Sequence, residues 1–184
     1  DISGWDVSSV TTMNSMFYSA STFNQDLPNW DVSSVTDMRS TFQQTTNFNG
    51  DLTGWNTSSV TLMYSMFNEA IGFNGDVSNF DVSGVTNMSH VFFSCTSFDQ
   101  DISLWDISNV TGWSRFFYNN SGFSDENKCL TYTGLIASNA NFPFDYSSSC
   151  TSTSSFVISS DAGAGWRLLS PPINVSYANF LGDL

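Results

Sequence analysis

The stretch Phe23-Asn24-Gln25-Asp26-Leu27-Pro28-Asn29-Trp30-Asp31-Val32-Ser33-Ser34-Val35-Thr36-Asp37-Met38 decides how this chain reads, because it keeps returning. Asp1, Asp26, Asp51, Asp76 and Asp101 stand 25 residues apart, as do Trp5, Trp30, Trp55, Phe80 and Trp105. Val10, Val35, Val60, Val85 and Val110 keep the same spacing, and so do Phe23, Phe48, Phe73, Phe98 and Phe123. A fixed period of roughly 20–50 residues is the mark of a solenoid. A unit this short cannot bury its own apolar face, so stacked neighbours must bury it.

Each copy divides in two. Asp26 to Val32 reads as extended, with Leu27, Trp30 and Val32 apolar. Pro28 stands where other copies have Ser3, Thr53, Ser78 and Ser103. Proline has no N–H to give a ladder, so the strand is short or omits that donor. In the second half Val10, Met13, Met16 and Phe17 fall at i, i+3, i+6 and i+7, the stripe of a short helix. Ser8 or Ser9 is its expected N-cap. The predicted fold is α/β, a solenoid of five 25-residue coils of short strand plus short helix over 1–125. Residues 126–150, with Leu130, Leu135, Phe142, Phe144 and Tyr146, are expected to cap the last coil. Residues 151–155 read as a linker, and 156–184 as the incomplete start of a second, β-rich module.

Composition narrows the partners. The formal net charge is −13, and the basic side chains are Arg39, Arg115, Lys128 and Arg167 alone. Such a chain has no cationic footprint for nucleic acid, and an anionic membrane surface would repel it. No apolar run approaches the roughly 20 residues that span a bilayer, so no membrane insertion is expected within this segment. Asp1 lies inside a repeat, and the natural chain is expected to continue upstream. A low-lysine, hydroxyl-rich, acidic surface suits a secreted or cell-surface protein. Cys129 and Cys150 lie just past the repeats and are the candidate disulfide. Cys95 takes the place of Ala20, Thr45, Ala70 and Asn120 and reads as a small semi-buried thiol.

Few residues offer chemistry. Asp6, Asp31, Asn56, Asp81 and Asp106 form a second column, in which Asn56 keeps the acceptor without the charge. That swap favours hydrogen bonding within a turn. Asp1, Asp26, Asp51, Asp76 and Asp101 keep the charge throughout and are the candidate metal ligands, with calcium as the cation that suits oxygen donors. Turn-fixing is the competing role for them as well. The Trp5 column reads as core or as a carbohydrate platform; Phe80 keeps its bulk without the indole N–H, which favours core. The Thr11, Thr36, Thr61, Thr86, Thr111 column leaves an ice-binding face as a further alternative. His90 has no second catalytic group spaced with it. The chain is not expected to be an enzyme, and no cofactor is expected apart from the calcium alternative.

The phrases Trp30-Asp31-Val32-Ser33-Ser34-Val35-Thr36-Asp37-Met38 and Met16-Phe17-Tyr18-Ser19-Ala20-Ser21-Thr22-Phe23-Asn24-Gln25-Asp26 closely resemble the BspA-like surface-protein repeat, found also in Mycoplasma-type lipoproteins. The resemblance covers residues 1 to about 125. It implies a right-handed, leucine-rich-repeat-like solenoid, extracellular or on the cell surface, that serves adhesion or macromolecular binding. Its implied partners are a protein or glycan on a cell or matrix surface, or copies of itself. A structural stalk or filament spacer is the alternative. The tail Gly165-Trp166-Arg167-Leu168-Leu169-Ser170-Pro171-Pro172 looks like a segment of large secreted proteins of Bacteroidota.

Overall fold

The computed structural model describes residues 1–150, and the backbone alone of 157–159 and 167–169. Five coils, beginning at Asp1, Asp26, Asp51, Asp76 and Asp101, lie one on another. They are built neither of strands nor of helices. In the third coil N–H groups turn back three residues at Trp55 to Leu52, Val60 to Thr57, Met66 to Met63, Asn68 to Ser65, Ala70 to Phe67 and Phe73 to Ala70. Each coil is thus a closed chain of β-turns.

This overturns the expected α/β architecture. Among the described residues the α-helix is α1, Asp125–Ser138, which lies beyond the coils. The strands are β1, Val157–Ser159, and β2, Arg167–Leu169, paired antiparallel. The coils hold isolated parallel bridges only, such as Thr12 to Asp37 and Asp37 to Leu62.

The expected helix from Ser8 to Phe17 fails for a backbone reason. Ser15 has φ 57° and Ser19 φ 56°, and the pair recurs in every coil, for example at Ser40 and Gln44 and at His90 and Ser94. A right-handed helix admits no such residue. Positive φ at the third residue of a turn is instead the signature of type II. The N–H groups a helix would fold back on itself go to the next coil: Met13 to Asp37 O, Ser15 to Arg39 O, Phe17 to Thr41 O and Ser19 to Gln43 O, at 2.8–2.9 Å. Alternate residues therefore bond along the stack, and those between close turns. A lone helix of ten residues is marginal in water. The stack satisfies the same backbone groups with partners on both sides. Ser8 caps no helix; its N–H and hydroxyl both donate to Asp6.

The interior is two columns of phenylalanine. Phe17, Phe42, Phe67 and Phe92 stack face to face at 5.3–5.7 Å. Phe23, Phe48 and Phe73 do so at 5.7 Å. Within a coil the columns touch, as Phe67 on Phe73 at 4.1 Å. Leu27, Trp30, Val32, Val35 and Met38 of the opening stretch are all buried. Offset aromatic stacking adds about 0.5–1.5 kcal/mol per pair beyond area burial.

A helix closes the far end. Ser124 caps α1 by accepting the Asn127 N–H at 3.2 Å. Cys129 and Leu135 are buried, and Gly134 lies so close to Ser103 O that any side chain there would collide with it. Asn139, the C-cap, donates to Ile107 O and Val110 O at 3.0 Å each. Phe142 then packs edge-on against Trp113, and Phe144 and Tyr146 pack on Phe116, Phe117 and Phe123. A disulfide joins Cys129 to Cys150, whose Cα atoms are 4.9 Å apart. Residues 151–155, Phe156, Gly165-Trp166 and Ser170-Pro171-Pro172 lie outside the described residues.

Candidate functional site

The candidate sites are columns on the outside of the stack, and the first is the Asp1 column. Asp1, Asp51, Asp76 and Asp101 each accept the N–H two residues on, at 2.8–2.9 Å. Pro28 deprives Asp26 of that donor, and its carboxylate instead accepts the N–H of Asp51, one coil along, at 2.9 Å. All five are exposed. The Thr53 N–H, then its hydroxyl, hold the Asp51 carboxyl below the usual range. Among the described residues no three Asp, Glu, His or Cys side chains converge where one cation could sit. Asp1 and Asp26 share only an open groove with Ser3, Asn24 and Gln25.

The second column uses the Asp-x-Ser spacing. Asp6, Asp31 and Asp81 each take the serine hydroxyl at 2.6 Å and its N–H at 3.0–3.1 Å. Asn56 accepts the Ser58 N–H at 3.2 Å in the same way. The hydroxyl, then the N–H, hold these three carboxyls below their ordinary value. A depressed folded pKa contributes stability above the unfolded value of about 3.9 that is lost as pH falls through the folded value. Acid also relieves the repulsion of a −13 chain, so a variant must isolate the effect. Asp31→Asn with Asp81→Asn should be less stable than wild type at pH 7. The gap in urea midpoint should close below about pH 4.

Sequence reasoning missed two features. One is a ladder of side-chain amides. Asn24 accepts the Asn49 N–H, Asn49 the Asn74 N–H and Asn74 the Asp99 N–H, at 2.7–2.8 Å. The ladder ends on the cap: Asp99 accepts the Ser124 N–H and hydroxyl and the Asn127 amide, at 2.7–2.9 Å. Burial opposes ionisation of Asp99, but these donors outweigh it and its pKa lies below the usual range. The Asn that follows Phe23, Phe48 and Phe73 carried that signal.

The other is an aromatic and cationic patch on coils four and five. Phe93 and Tyr118 stack at 5.4 Å, and the Arg115 guanidinium lies 6.0 Å and 5.6 Å from their ring centres. His90 sits 5.6 Å from Phe93; burial, then Arg115, lowers its pKa. No repeat spacing pointed here, because the patch is where the copies differ.

Trp30, Trp55 and Trp105 belong to the core. The Trp30, Trp55 and Trp105 indoles donate to Ile2 O, Leu27 O and Val77 O of the preceding coil at 2.9–3.1 Å. Trp5 is 62 % exposed. Thr36, Thr61 and Thr111 donate both N–H and hydroxyl to the threonine carbonyl of the preceding coil. Cys95 is a buried thiol that donates to Ala70 O at 3.1 Å, and burial raises its pKa.

No curated protein and no solved structure matches this chain. The model of one family, described as "Mycoplasma protein of unknown function, DUF285", matches residues 1–81 and again 51–148. Its two matches overlap on coil three and the start of coil four, as they must when the matched unit repeats. Together they run from the first coil through α1 to the aromatic cap, and the chain belongs to this family of Mycoplasma proteins of unknown function, DUF285.

Proposed function

We propose that the chain is an extracellular or cell-surface contact module that holds other macromolecules, in the manner of an adhesin. What carries this reading is the division of labour in each coil. Turns and ladders hold an apolar interior in register, while positions off that interior vary in type from coil to coil. Tyr18, Gln43, Asn68, Phe93 and Tyr118 occupy one such position. The BspA-like resemblance of the repeat supports the same reading, and so does an acidic, hydroxyl-rich exterior. The partners are a protein or glycan on a cell or matrix surface, or other copies of the chain. No catalytic role and no cofactor is part of the proposal.

The test is attachment. Beads coated with the purified chain should adhere to cells or matrix above beads coated with an unrelated acidic protein, and a chelator series reports whether calcium enters. Beads that neither adhere nor associate with one another would sink the proposal. A second reading, a stalk or spacer, is favoured by the unbroken phenylalanine columns, which make a stiff rod. Deleting one whole coil separates the two. A stalk loses function in proportion to length whichever coil is removed, whereas a binder loses it when one particular coil goes.

A further inference from the structure

We propose that Arg115, Tyr118, Phe93 and His90 form a binding site for a carboxylated sugar, a uronic acid unit of a glycan. The inference rests on the adhesion reading and names its ligand class.

Charge comes first. Of the described basic residues, Arg39 is held by Asp37 at 2.6 Å and Lys128 by Asp125 at 3.2 Å. Arg115 is exposed and has no carboxylate within ion-pair reach among the described residues. An unpaired guanidinium in a chain of net charge −13 is a local exception, and its planar fork matches a carboxylate.

Its neighbours narrow the ligand. Tyr118 is 60 % exposed and stacks on Phe93, which leaves an aromatic face for the apolar C–H side of a pyranose ring. The Ser94 hydroxyl and Asn119 amide, bonded to each other at 3.1 Å, come next along the two coils and offer partners for sugar hydroxyls. Carboxylate, C–H face and hydroxyls together describe a uronic acid better than a peptide side chain.

The copies supply the last point. His90 and Arg115 occupy the left-handed position where earlier coils have Ser15, Ser40 and Ser65. Glycine would be unstrained there, yet coils four and five carry two of the largest polar side chains. Phe93 and Tyr118 replace Gln43 and Asn68 in the same two coils. Relative to coils two and three, four changes of type fall on this one patch; coil one shares only its aromatic, Tyr18.

The test uses the full, disulfide-bonded chain with a tetra-galacturonate and its carboxyl-reduced counterpart, by isothermal titration at low and physiological salt. The acidic sugar should bind at least tenfold more tightly than the reduced one. Arg115→Gln and Tyr118→Ala should each weaken it at least tenfold, with unchanged melting temperature. Arg39→Gln should have no effect. Equal affinity for both sugars, an unaffected Arg115→Gln, or binding of an acidic peptide alone would overturn the site. Arg115→Lys, which keeps the charge, stands in if Arg115→Gln does not fold. Bead adhesion run in parallel keeps the readings apart: adhesion that survives Arg115→Gln removes this site and leaves the module a binder.

Discussion

Phe67→Ala should lower the unfolding free energy by about 3–5 kcal/mol, the range for emptying a fully buried phenylalanine site. Phe67 is 1 % exposed and sits mid-stack, with Phe42 at 5.6 Å, Phe92 at 5.7 Å and Phe73 at 4.1 Å. The cavity cannot close by a local shift, because the backbone on each side is tied by Ser65 to Ser89, Phe67 to Val91 and Glu69 to Phe93. In a stack held by nearest-neighbour contacts, a weakened middle coil also uncouples the two halves. Urea unfolding should therefore show a lower midpoint and a shallower slope, a mark of lost cooperativity. Tyr18→Ala, on an exposed ring, should change the unfolding free energy by less than about 0.5 kcal/mol. Equal effects at the two sites would contradict the packed interior described above.

Removing the disulfide should rank next. Cys129→Ala with Cys150→Ala opens a loop of 21 residues, worth about 3 kcal/mol by chain entropy. The loss should concentrate in the cap, since the bridge ties α1 to the Ser147–Cys150 turn and the aromatic run between them covers Phe116, Phe117 and Phe123. Hydrogen exchange should rise first in α1 and the fifth coil, with coils two and three still protected. Cys95→Ala is the contrast. Ala20 and Ala70 already fill that place in other copies, so the change should cost little. A small effect of the bridge alongside a large one at Cys95 would reverse this ranking.

Much of the interior was legible because burial has a simple signature. A residue that recurs every 25 positions as Trp or Phe, or as Val throughout, reports a space of fixed size. The local backbone was not legible. Val10, Met13, Met16 and Phe17 fit a helix stripe, yet a chain of three-residue turns spaces its apolar groups almost identically. Glycine at Ser15 and Ser19 would have announced the left-handed positions, but no copy has one there. The aspartates divided similarly. Asn56 pointed to a hydrogen-bonding role for its column, and the Asp1 column, whose unbroken charge also left a cation open, makes the i+2 turns that were its competing reading. The Arg115 patch escaped notice because a search for what repeats passes over what does not.

The bond from Asp51 to Asp26 has a consequence for how such a gene changes. Pro28 removed a donor inside one coil, and the neighbouring coil supplied the replacement without moving any column. Each interface repeats the same contacts, so any in-phase crossover between two copies in the DNA rebuilds a complete coil wherever the break falls. Length can vary from strain to strain by whole units, while a slip of one codon throws every column above it out of line. Recombination thus has free use of copy number, and point mutation has free use of the outward positions. A surface that must keep changing what it presents could be assembled from those two operations alone.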